Sequence, residues 1–146
     1  MRDAVLKHSA SFDVIVMAAA VADWCPKRIS NQKIKKSSTD ALTIELEKTP
    51  DILSALSQKK RKGQFIVGFA AESEHLIENA REKLIKKKLD LVVANSLLQK
   101  NAGPESEGNE VILLYKNGRS APLPLMDKRE VAYEILKHIA RLVKAK

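Results

Sequence analysis

The sequence predicts an α/β domain built on parallel strands, and three observations carry that expectation. An apolar run at residues 14–22 stops at the carboxylate of Asp23. Two further apolar runs, at 65–69 and 89–94, flank a segment whose Leu76, Ile77, Ala80 and Leu84 share one helical arc. A strand, a helix and a second strand in that order form a crossover unit, which leaves its strands parallel.

Taken from the amino end, residues 1–11 read as a short helix ahead of a strand opening near Asp13. That strand narrows to Ala18, Ala19 and Ala20, side chains small enough to let a ligand approach the backbone. Ligands of open α/β sheets sit in the crevice outside the carboxyl ends of the strands. Asp23 therefore stands where a bound nucleotide could be read, and a cap or turn role fits the same position. Pro26 and the Ser30-Asn31 pair mark a loop. Lys33-Ile34-Lys35-Lys36 and Leu42-Thr43-Ile44-Glu45-Leu46 then read as two short strands around a polar turn, an inserted ribbon or an edge.

Thr49-Pro50-Asp51 reads as a helix start: a hydroxyl cap, proline at the first helical position and a carboxylate near the positive end of the dipole. The helix should reach Lys60, where a basic end and Gly63 suit its stop. A strand over 65–69 turns at Ala70-Ala71-Glu72 into a helix over 73–88, and 89–94 returns as a strand ending beside Asn95. A polar loop, 95–109, leads to a carboxyl-terminal hairpin of 111–115 and 121–125 turned at Asn117-Gly118. Asp127 then caps a final helix reaching Val143.

With 146 residues and 45% hydrophobic content the chain can fill one core, so residues 1–146 are taken as a single domain. The one cysteine, Cys25, excludes an intrachain disulfide framework and suits a reducing, cytoplasmic compartment. The longest apolar run is far shorter than a membrane span, and the amino end does not resemble a signal peptide, so no membrane partner is expected. A net charge of +8 favours an anionic partner. Aromatic residues make up only 4%, which leaves few stacking platforms, and no nucleic-acid-reading motif accompanies the charge. The balance points away from nucleic acid and toward a phosphorylated metabolite.

No metal ligands are assigned, because His8, His75 and His138 are dispersed and lack metal-ligand spacing. Walker A, Gly-x-Gly-x-x-Gly and Gly-x-Ser-x-Gly are also absent, so any nucleotide is held by another device. Lys83 and Lys87 are the candidate cations. They lie four apart, and Lys87 falls in line with Leu76 and Ala80, within the arc that should be buried. Two ammonium groups overhanging a cleft would bind phosphate oxygens; stems snorkelling along a solvated face are the alternative. Lys33 has a similar ambiguity, between an α-phosphate contact and protection of an edge strand.

Six collinear stretches sharpen the reading: residues 19–24, 33–36, 50–53, 67–72, 80–84 and 88–95. Together they resemble the synthetase domain of bacterial phosphopantothenoylcysteine synthetase, a domain often fused to a flavin-dependent decarboxylase in a bifunctional coenzyme A biosynthesis protein. The resemblance implies a Rossmann-like α/β fold, a homodimer, and CTP- and Mg²⁺-dependent ligation of 4′-phosphopantothenate to L-cysteine through an acyl-cytidylate. FMN would enter only with a decarboxylase fused upstream.

Carried onto matching positions, the resemblance implies that Ala19 and Asp23 belong to the cytidine site and Lys33 to the nucleotide and reacting centre. It assigns Pro50, Asp51, Ile52, Leu53 and Phe69 to the nucleotide pocket, and Lys83 and Lys87 to the triphosphate. The family's domain opens with strands that have no counterpart here, so the expectation is a partial domain lacking its amino-terminal strands. The alternative is a non-catalytic nucleotide-binding or assembly module that needs that segment for activity.

Overall fold

Helix α1 (Arg2–His8) and a 3-10 turn (Ser9–Ser11) feed β1 (Val14–Met17) in the computed structural model, which describes residues 1–35, 41–98 and 106–144. A ribbon follows, β2 (Trp24–Pro26) and β3 (Leu46–Lys48), and then α2 (Ile52–Gln58), β4 (Phe65–Glu72) and α3 (Leu76–Lys86). The chain closes with β5 (Leu91–Ser96), β6 (Gly108–Tyr115), β7 (Ser120–Asp127) and α4 (Lys128–Lys144). Five strands form one sheet in the order β1-β4-β5-β6-β7. Strands β1, β4 and β5 are parallel, and β6 and β7 extend the sheet antiparallel.

Alternation along the strands builds a core on each face of this sheet. Ile66, Ala70, Val92 and Ala94 point to one side, where they meet Ile52 and Leu56 of α2 and Ala80 and Leu84 of α3. Phe65, Val67, Leu91 and Val93 point to the other, where α4 packs Val131, Ile135 and Ile139 against them. Full burial of each large aliphatic side chain contributes roughly 1.5–3 kcal/mol, so the central strands anchor the domain. Among the described residues no helix is long and apolar enough to cross a membrane.

Two local features fix how the central strands sit against their neighbours. A Cβ at Gly68 would lie 2.8 Å from Leu89 Cδ1 and 3.3 Å from Leu53 Cδ1, so α2 approaches β4 as closely as it does only because that position lacks a side chain. Asp90 is buried, accepts the Ile66 N–H at 2.8 Å and pairs with Lys60 at 2.5 Å, which locks the entry to β5.

Several boundaries differ from expectation for physical reasons. The first strand ends at Met17 rather than at Ala22: it is an outer strand, and alanines offer little side-chain surface to hold it on the sheet. Asp23 therefore precedes β2 instead of closing β1. The ribbon pairs Trp24–Pro26 with Leu46–Lys48, not 33–36 with 42–46. Its ladder is set at the end where the chain enters and leaves the ribbon, as Thr49 donates through N–H to Asp23 O (2.9 Å) and through Oγ1 to Ala22 O (2.6 Å). Lys33 and its neighbours Ile34 and Lys35 have no strand pairing, and Lys36 lies outside the described residues.

With its hydroxyl so engaged, Thr49 does not cap α2; Asp51 does, accepting the Ser54 N–H at 2.9 Å, and Pro50 lies just before the cap. Helix α2 stops at Gln58, and Lys60 is free of the helix to reach Asp90. Strand β4 runs on to Glu72 instead of turning at Ala70, because its pairing with β5 continues through Glu72 and Ser96. The α3 helix is shorter than 73–88, starting after His75, whose φ of 51° is left-handed and cannot continue a helix backwards. Strand β5 starts at Leu91, after the buried Leu89, and Asn95 lies within it. Asp127 does cap α4, accepting the Arg129 N–H at 2.7 Å.

Candidate functional site

The carboxyl ends of β1 and β4 open into a cleft of about 740 Å³. Met17 and Ala19 reach it from β1 and the segment beyond, Phe69 and Glu72 from β4, and Trp24 and Lys48 from the ribbon. The run from Thr49 to Leu53 supplies a further wall, and α3 with its cap contributes Asn79, Glu82, Lys83, Lys86 and Lys87.

Lys83 donates from Nζ to the Phe69 carbonyl oxygen at 2.7 Å, so its cation is held at the strand end by a neutral acceptor. Lys87 does not snorkel into water and is not in the core; it pairs with the Asp51 carboxylate and donates to Ser54 Oγ at 3.0 Å. Ser54 in turn donates through Oγ to Asp51 Oδ2 at 2.9 Å. Lys86 pairs with Glu82 one helical turn earlier. Asn79 donates to Glu72 Oε2 at 3.3 Å and to Glu74 O at 3.1 Å, orienting the Glu72 carboxylate at the end of β4. Lys48 lies 5.7 Å from the centroid of the Trp24 ring, its partner across the ribbon.

Four lysines and four carboxylates line the cleft, so their formal charges balance. Three of the lysines come from α3 and its cap and one from the ribbon, and Lys83 faces a carbonyl rather than a carboxylate. Of the residues singled out in the sequence, Ala19, Asp23, Pro50, Asp51, Ile52, Leu53, Phe69, Lys83 and Lys87 are brought together here. Lys33 is exposed and is not among the lining residues, and neither is Asn95.

The sequence reading missed Asn79, Glu82 and Lys86. Spacings of three and four residues from Asn79 through Lys83 to Lys86 and Lys87 mark one face of α3 and would have found them. Among the described residues no group of three His, Cys, Asp or Glu side chains could hold a metal, and Asp51 and Glu82 are engaged by lysines.

A sheet whose parallel strands end in a lysine-bearing crevice defines an α/β domain of the open-sheet type. Over residues 1–143 the chain matches, and it belongs to, the family described as the DNA/pantothenate metabolism flavoprotein C-terminal domain. It is 43% identical over 144 residues to the coenzyme A biosynthesis bifunctional protein CoaBC of Bacillus subtilis (strain 168), covering 99% of this chain and 35% of that protein. A crystal structure of the C-terminal domain of coenzyme A biosynthesis bifunctional protein CoaBC superposes with a TM-score of 0.78 at 36% identity, covering 99% of this chain and 62% of the other.

A cysteine/cysteine sulfinic acid decarboxylase from an unknown prokaryotic organism is 38% identical over 143 residues, covering 98% of this chain and 40% of that protein. The family named from the sequence, bacterial phosphopantothenoylcysteine synthetase, is corrected to the one whose model matches, a domain that the bifunctional coenzyme A biosynthesis proteins carry. The same domain occurs in a protein with a decarboxylase name, so the chain is assigned to the family by its domain description.

Proposed function

We propose that this chain carries the nucleotide site of a coenzyme A biosynthesis enzyme that joins 4′-phosphopantothenate to L-cysteine at the expense of CTP. The observation that supports it most is the arrival of Lys83 and Lys87 in one cleft with Ala19, Asp23 and Phe69, at the carboxyl ends of parallel strands. Membership of a pantothenate-metabolism family supports the pathway.

In the proposed reaction a carboxylate oxygen of 4′-phosphopantothenate attacks the α-phosphorus of CTP, and the bond to the β-phosphate breaks to release pyrophosphate. The cysteine amine then attacks the acyl carbon, and CMP leaves. The first step brings anions together, so ammonium groups that offset charge as it develops lower its barrier. Lys83 and Lys87 take the triphosphate, and the Asp23 carboxylate and Ala19 backbone take the cytidine. Pro50, Asp51, Ile52, Leu53 and Phe69 complete the pocket.

Lys33 is assigned to the reacting centre on the sequence resemblance alone, since it does not line the cleft. Magnesium enters as part of the nucleotide substrate and not as a resident ion. The working form is a cytoplasmic homodimer, and FMN belongs only to a fused or associated decarboxylase.

The test is incubation of the pure chain with CTP, 4′-phosphopantothenate and cysteine, with pyrophosphate as the readout. Release that requires all three and falls in Lys33→Gln, without change in the circular dichroism spectrum, is the expected result. CTP binding without turnover favours the binding-module alternative. This chain spans about a third of the length of the Bacillus protein.

A further inference from the structure

Lys87 is already occupied in this cleft: its ammonium is paired with Asp51 and hydrogen-bonded to Ser54 Oγ. We infer that Asp51 is a positioning residue that competes with an incoming phosphate for Lys87, and so sets the strength of anion capture. This rests on the reading of the cleft as a triphosphate site.

The contacts around the pair define its behaviour. Asp51 is fixed at both oxygens, because Oδ1 accepts the Ser54 N–H at 2.9 Å and Oδ2 accepts the Ser54 O–H at 2.9 Å. The backbone of Lys87 is fixed as well, since its N–H donates to Lys83 O at 3.0 Å and its carbonyl accepts from Ser57 Oγ. Only the flexible lysine stem is left to swing. A phosphate cannot use the Asp51 carboxylate as a contact, since both are anions, and the Ser54 N–H that could have met a phosphate is taken.

The two lysines therefore differ. Lys83 donates to a neutral carbonyl, so an anion gains that cation with no rival charge to displace. Lys87 must leave a carboxylate first. Asp51 acts on the nucleotide through Lys87 and not by touching the phosphates, which gives it a different place from its neighbours in the pocket.

The experiment is calorimetric titration of the 146-residue chain with inorganic tripolyphosphate. The variants are Asp51→Asn and Asp51→Ser, because both side chains retain capping ability while removing the charge. A partly exposed ion pair is worth little, so these variants should bind about two- to fivefold tighter than the unaltered chain. In a Lys87→Gln background the gain should vanish, a dependence that a merely structural cap would not show.

Equal or weaker binding by both variants, with measurable binding by the unaltered chain, overturns the role of Asp51 and leaves the triphosphate site standing. A gain that survives Lys87→Gln overturns it too, as general removal of negative charge would then explain it. Absence of binding by every form sinks both this inference and the triphosphate reading.

Discussion

The ammonium of Lys83 meets the carbonyl oxygen of Phe69 at 2.7 Å, so a cation from α3 is fixed against the strand that ends in the cleft. Neither residue is near the other in sequence; the crossover from β4 through α3 brings them together. The contact aims the lysine at the place where an anion would sit, and it does so without neutralising the charge.

Replacing Lys83 by glutamine should therefore lower CTP affinity about tenfold, the loss expected for one charge-assisted hydrogen bond. Calorimetric titration checks this, with circular dichroism as the control for folding. An unchanged affinity would mean that Lys83 serves only to hold the Phe69 carbonyl.

Asp90→Ala removes at once the acceptor of the Ile66 N–H and the partner of Lys60. A buried N–H is left without that bond, and a partly buried ammonium loses its counter-charge. Urea unfolding should show a loss of about 3 kcal/mol. A loss below about 1 kcal/mol would class the pair with exposed ion pairs and contradict its role in locking β5.

Gly68→Ala places a methyl group 2.8 Å from Leu89 Cδ1 and 3.3 Å from Leu53 Cδ1. Leu53 lines the cleft, so the substitution should couple stability to binding. Overpacking of this kind costs about 1–3 kcal/mol in unfolding experiments, and CTP affinity should fall with it. A stability loss with wild-type affinity would show that the cleft does not depend on the position of Leu53.

Tyr115 donates to or accepts from His138 Nδ1 at 2.5 Å, and burial raises its pKa above the ordinary 10.0, with Arg141 opposing the rise. The unfolded chain loses this proton first as pH rises. The stabilisation is thus fully present below the unfolded value and is lost as pH climbs through the folded one. Unfolding midpoints taken from about pH 9 to about pH 11 should fall for the unaltered chain and fall less for Tyr115→Phe. Parallel profiles would exclude Tyr115 as the source of the alkaline dependence.

Elements with a strong apolar pattern were legible in the sequence. The arc of Leu76, Ile77, Ala80 and Leu84 faces the core, and the alternating residues of β4 and β5 face both layers, because burial alone decides those positions. The ribbon was misread because its pairing depends on Thr49 bonding back to residues 22 and 23, a long-range contact with no signature in local alternation. The cap of α2 was misread for the same reason: Thr49 and Asp51 are both good caps, and tertiary structure diverts the hydroxyl. In the site, nine of the ten residues converge, but the engagement of Lys87 by Asp51 was invisible, since two residues 36 apart carry no mark of their pairing.

Trp24 is the sole tryptophan of the chain and lines the cleft, so its fluorescence reports on occupancy directly. Titration with CTP should give a saturable change in the unaltered chain and none in the double variant Lys83→Gln, Lys87→Gln at the same concentrations. A signal that does not respond to CTP, or one that saturates identically in the double variant, would contradict the assignment of these two lysines to a nucleotide triphosphate.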